Sequence, residues 1–167
     1  TIRLGEYAIA SAYATSIFSG DIVKLVAGGG IELAAAGNRS LGVFAGVEYT
    51  DASGNVVFSK YWPADQVGTN IKARVYDDPM TVFGVQSAGS TVEVDIGTLG
   101  DHVATAGSVL GGSAQELNGT TSTAYAGFRV HGKVEQPSNE YGTNVLLEVQ
   151  LVEHEFMAGN EATTPGV

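Results

Sequence analysis

The chain contains no cysteine, which excludes a disulfide framework, thiolate catalysis and any cysteine-based zinc site. Cationic side chains are scarce as well. Eight Lys and Arg stand against 18 Asp and Glu, a formal net charge of −10. A chain with that balance is repelled by phosphate backbones, which argues against a nucleic-acid partner. No uncharged apolar run approaches the roughly 18 residues that a membrane-spanning helix needs, so no membrane partner is expected. The apolar stretch 8–18 includes Ser, Thr and Tyr and lacks a basic leader, so it does not read as a signal peptide. Thr1 is the kind of small residue left when an initiator methionine is removed.

Catalytic and cofactor patterns are missing too. There is no Gly-x-Ser-x-Gly elbow, no phosphate loop ending in Lys-Ser/Thr, and no alternating Asp/Asn calcium loop. Ala27-Gly28-Gly29-Gly30 is glycine-rich but lacks the lysine that would follow, and reads as a turn. The three histidines, His102, His131 and His154, have no second ligand at metal-binding spacing. Asp101-His102 and His154-Glu155 are simply adjacent pairs. No cofactor and no metal are expected, and nothing selects two of the scattered acids as a catalytic pair, so the chain is not expected to be an enzyme.

What is present is alternation. The period of two that a half-buried strand requires appears at Val43, Ala45, Val47 and Tyr49, and again at Ile71, Ala73 and Val75, with Lys72 and Arg74 opposite. Val92, Val94 and Ile96 alternate with Glu93 and Asp95. Phe128, Val130, Gly132 and Val134 alternate with Arg129, His131, Lys133 and Glu135. Val145, Leu147, Val149 and Leu151 complete the set. Turn chemistry separates these runs. Asp51-Ala52-Ser53-Gly54-Asn55 should close a hairpin with Gly54 or Asn55 at positive φ, and Asp77-Asp78-Pro79 and Gln136-Pro137-Ser138-Asn139 are further turns. Residues 31–36 fit either a short helix or a strand. Many short strands without a βαβ pattern point to one all-β domain, an antiparallel β-sandwich or barrel, with a long Gly/Ser/Thr-rich loop over 98–127.

The expected divisions are an N-terminal arm over 1–18, a β domain over 19–157 and a flexible tail over 158–167. Two readings of the first segment stay open. It is an ordinary first strand in the core, or an extended arm that docks on another subunit through Tyr7, Ile9, Tyr13, Ile17 and Phe18. Tyr61 and Trp62 are the second group of candidate contacts. They suit core or interface packing, or stacking on a sugar ring.

Three blocks carry a family resemblance. The first reads Ser16-Ile17-Phe18-Ser19-Gly20-Asp21-Ile22-Val23-Lys24-Leu25 within residues 10–25. The second runs from Leu41-Gly42-Val43-Phe44-Ala45-Gly46-Val47-Glu48-Tyr49 through Phe58 and Tyr61-Trp62-Pro63-Ala64 to Val75-Tyr76-Asp77-Asp78-Pro79. The third begins Asn139-Glu140-Tyr141-Gly142 and closes on His154-Glu155-Phe156. Together they resemble the capsid decoration, or cement, proteins of tailed bacteriophages. The match is poor across 98–127.

The resemblance implies a non-enzymatic virion protein on the outer surface of the head. Such proteins often act as homotrimers that clamp neighbouring major capsid subunits against the pressure of packaged DNA. It implies no cofactor. Tyr7, Ile9, Tyr13, Ile17, Phe18, Tyr61 and Trp62 are the expected capsid or inter-subunit contacts, chosen from the exposure of an arm and not from matches to the family's contact residues. The alternatives are a carbohydrate- or receptor-binding domain of a phage fibre, and a tail or neck component.

Overall fold

A computed structural model describes residues 3–108, 110–118 and 127–157. Among them the regular secondary structure is all strand, apart from one 3₁₀ turn. The strands are β1 (Leu4–Tyr7), β2 (Ile17–Phe18), β3 (Ile22–Leu25), β4 (Ile31–Leu33), β5 (Gly42–Thr50), β6 (Val56–Ser59), β7 (Tyr61–Trp62) and β8 (Thr69–Tyr76). The second half adds β9 (Val82–Gln86), β10 (Ser90–Thr91), β11 (Leu99–Gly100), β12 (His102–Val103), β13 (Glu116–Leu117), β14 (Phe128–Lys133), β15 (Gly142–Thr143) and β16 (Leu146–Leu151). Of the 31–36 segment, Ile31–Leu33 is therefore a strand, and none of it is helix.

Two sheets dominate. The first has the order β1-β8-β5-β3-β4, with β6 also on β5, and the second has the order β11-β14-β16-β9. Their pairings are all antiparallel. A single bridge from Ala8 to Gly30 links the end strands of the first sheet, but no barrel closes. The architecture is an all-β antiparallel sandwich.

The hairpin between β5 and β6 shows how local chemistry fixes the register. Asp51 accepts the backbone N–H groups of Ser53 and Asn55 at 2.9 and 2.8 Å. Gly54 takes φ +84°, a conformation that costs a side-chain-bearing residue more than glycine. Glu48 then falls opposite Phe58 on one side and Lys72 on the other.

Each sheet has its own core. Ile9, Ile17, Val23, Ile31, Leu41, Phe44, Val47, Tyr49, Trp62, Ala73 and Val75 form the first. Ile22, Ala34, Leu117, Phe128, Val130, Val145, Leu147, Val149 and Leu151 form the second. Burying side chains of this size stabilises by about 1.5–3 kcal/mol each before entropy is counted.

Three expectations change. The face shared by Val43, Ala45, Val47 and Tyr49 is interrupted, because the β5–β8 register shifts between Phe44 and Gly46. An extra residue in one strand reverses the parity beyond it. Phe44, Val47 and Tyr49 therefore enter the first core, whereas Val43 sits opposite Ile22, a member of the second. The alternating run 92–96 is not a strand. It is a 3₁₀ turn over Glu93–Asp95 in which Asp95 accepts the Val92 N–H at 2.8 Å, and Val92, Val94 and Ile96 stay exposed. With no opposing strand to pair, a local side-chain acceptor decided the backbone.

The third change concerns the 98–127 loop, which carries β11, β12 and β13 and contributes Leu117 to the second core. Residues 119–126 of that loop and the tail 158–167 lie outside the described residues.

Candidate functional site

Residues 3–18 lie against the domain. β1 pairs with β8 from Leu4↔Tyr76 to Tyr7↔Ala73. Ile9 is 3% exposed and Ile17 is fully buried. Of the two readings held open for this segment, a first strand in the core is the one these contacts describe. Tyr13 packs on the first core, and its hydroxyl accepts the Leu33 N–H at 3.3 Å.

The short ribbon β2–β7 sets Ile17 opposite Trp62 and Phe18 opposite Tyr61. The Phe18 and Tyr61 rings stack with centroids 5.5 Å apart. Trp62 is fully buried and meets the Tyr49 ring edge-on at 5.2 Å. It therefore offers no face to a sugar. Six of the seven candidate residues, Ile17, Phe18, Trp62, Ile9, Tyr13 and Tyr7, are core or packed on it. The Gly/Ser/Thr-rich loop helps cover Phe18. A Cβ at Gly107 would lie 2.6 Å from the Phe18 ring, so only glycine allows that approach.

Tyr7 also belongs to a polar junction that the sequence did not announce. Its hydroxyl donates to Asp77 Oδ2 at 2.6 Å. Asp77 has no exposed surface, and Arg3 Nε stands 3.3 Å from its Oδ1. That contact lacks hydrogen-bond geometry, because Oδ1 has no hydrogen-bond donor. Burial, followed by the Asp77 hydrogen bond, pushes the Tyr7 phenol well above its ordinary range. Arg3 also lies over the Phe156 ring at 5.4 Å, so the two ends of the described chain meet at Asp77.

His154 completes the junction from the other side. It is 1% exposed, and its Nδ1 accepts the Phe156 N–H at 3.0 Å. The proton of the neutral ring therefore sits on Nε2, which is buried without a partner. Burial depresses the imidazole pKa, against the opposing pull of Asp77 and Asp78. Ser40 fastens this segment with two backbone bonds, Ser40 N–H to the Glu153 carbonyl at 2.8 Å and Glu155 N–H to the Ser40 carbonyl at 2.9 Å. Asp77 had read as a turn residue and His154 as half of an adjacent pair, each also within a block of the family resemblance. Nothing in one sequence signals that residues so far apart share a buried site.

The surface carries little else with chemical order. Among the described residues no three His, Cys, Asp or Glu are placed to hold a metal ion. The basic stripe on β14 is largely spent within its own sheet: Lys133 pairs with Glu135 at 3.1 Å, and His131 Nε2 meets Gln150 Oε1 at 3.1 Å. Phe58, Met80, Val94 and Leu110 project apolar side chains to solvent at 70% exposure or more. Comparison of the chain with family models, with curated proteins and with solved structures gives no match.

Proposed function

We propose that this chain is a non-enzymatic decoration protein of a tailed-phage capsid. It binds the outer surface of the shell as a homotrimer and cements neighbouring major capsid subunits. The observation that carries this reading is the resemblance of residues 10–25, 41–79 and 140–156 to that family. An antiparallel body with two cores supports it, because a clamp must hold its contact points at fixed separations. A charge of −10 supports an outward position, away from packaged DNA. A trimer would join three weak contacts into one tight attachment through effective concentration.

Since Ile9 and Ile17 are core residues, the contacts are assigned instead to exposed apolar side chains, Phe58 and Val94 first. The test is the stoichiometry of the chain against the major capsid protein in purified virions, by quantitative mass spectrometry. A ratio near one is expected. A ratio of a few per cent would overturn the cement reading and move the protein to a fibre or the tail.

A further inference from the structure

The second core is not closed. On β16, Leu147 and Val149 are fully buried, and their partners across the strand pair are Val85 and Phe83 of β9. Those two face inward yet remain only partly buried. They look into a cleft of about 430 Å³ whose other wall is the outer side of the first sheet, at Ile22, Val43 and Tyr76. The β5 bulge creates that wall, because it turns Val43 away from the first core. We infer that this cleft between the sheets is a binding site for a small, neutral, apolar molecule with a ring or a short alkyl body.

Size and chemistry both bear on the assignment. The space equals on the order of a dozen waters, and its walls give such waters few polar partners. Water held that loosely is displaced with a gain by an apolar occupant. The volume lies in the range of small-ligand pockets, roughly 300–1,000 Å³.

Two polar side chains at the cleft are already engaged. His102 meets the Ala34 carbonyl through Nε2 at 3.1 Å and Asp101 through Nδ1 at 3.3 Å, which leaves its ring for stacking. Gln115 Oε1 accepts the Ile22 N–H at 3.0 Å, so what this side chain offers a ligand is its amino end, to an acceptor. Glu116 at the cleft and the net charge of the chain select against anions. The site does not depend on the capsid reading.

The probe is N-phenyl-1-naphthylamine, a neutral fluorophore that joins a naphthyl and a phenyl group, with its anionic relative 8-anilinonaphthalene-1-sulfonate alongside. Saturable binding of the neutral probe at one site per chain is expected, with the anion at least tenfold weaker. Val43→Phe and Val85→Phe, each filling the cleft from a different sheet, should weaken the neutral probe at least tenfold. Val94→Ser, on the exposed turn, should leave binding unchanged. Methyl resonances of Val43, Val85 and Val149 in the unsubstituted protein should move on titration while those of Val56 and Val94 stay still. This measurement stands even if neither filled variant folds. Probe binding that persists in both folded Phe variants, or methyl shifts confined to Val56 and Val94, would overturn the site.

Discussion

The two sheets solve the same packing problem to different degrees. In the first, the inward side chains of β3, β5 and β8 meet material on every side, and Trp62 of β7, the largest side chain in that core, has no exposed surface. In the second, the inward side chains of β14 and β16 are buried, but those of β9 stay only partly covered, at a cleft of about 430 Å³. The difference is one of partners, not of pattern. β9 alternates as cleanly as β8, yet what lies across from it is the outer face of another sheet, which follows it only part of the way. Period-two alternation selects which residues turn inward. It does not supply the opposing wall.

Truncation is the strongest way to probe that contrast. Trp62→Ala should cost about 3–5 kcal/mol, the usual range for emptying a fully packed aromatic site. Phe83→Ala, at the wall of an existing void, should cost only about 1–2 kcal/mol, because fewer contacts are lost. Urea denaturation followed by circular dichroism measures both, and is needed because Trp62 is the only tryptophan. Equal losses would mean that the second core is as tightly packed as the first.

The same contrast explains what the sequence made legible. The alternation at 71–75, 128–134 and 145–151, and the Asp51 to Asn55 turn, describe local chemistry, and strands and a hairpin stand there. The failures were non-local. The bulge that divides Val43 from Val47 arises from pairing between β5 and β8. Residues 92–96 alternate without any strand to cover them. The arm candidates stayed open between core strand and docking arm because their partners, such as Leu33, Ala73 and Trp62, are far along the chain. Burial of Asp77 and His154 at one junction was equally unreadable, since charge and isolation in sequence say nothing of what lies nearby.

The junction at Asp77 tests the seam between the two ends of the chain. Tyr7→Phe removes the hydroxyl that serves Asp77 Oδ2, and Oδ1 has no donor already. Leaving that carboxylate unserved should cost about 1–3 kcal/mol. Arg3→Ala should cost less than about 1 kcal/mol, because the arginine side chain is 64% exposed and its pairing is screened. If the arginine variant proves the worse of the two, charge and not hydrogen bonding holds the seam.

His154 adds a pH dependence with a defined sign. Burial holds its imidazole pKa below the ordinary value, which is about 6.5 in an unfolded chain. Between those two values the unfolded state binds more protons, so stability rises with pH. The contribution is complete above about 6.5 and is lost as pH falls towards the native value. Asp21 has the opposite sign. Burial raises its carboxyl, so stability returns in part as acidification nears the carboxylate range. Urea midpoints should fall between pH 7 and pH 5.5, and His154→Asn, which keeps an acceptor for the Phe156 N–H, should flatten that fall. An unchanged slope in the variant would assign the pH dependence to another group.

The smallest effect on stability carries the most information about function. Phe58 on β6 is 72% exposed and Val94 on the 3₁₀ turn is 83% exposed, one on each half of the molecule. Serine at either position should change stability by no more than about 0.5 kcal/mol, since neither side chain fills a core. Any loss of binding to purified phage heads would then report lost contact, not lost folding. Loss with Phe58→Ser alone turns the first sheet towards the shell, and loss with Val94→Ser alone turns the second. If both variants bind heads as the parent does, neither residue is an anchor, and capsid contact must be sought on other surfaces of the sandwich.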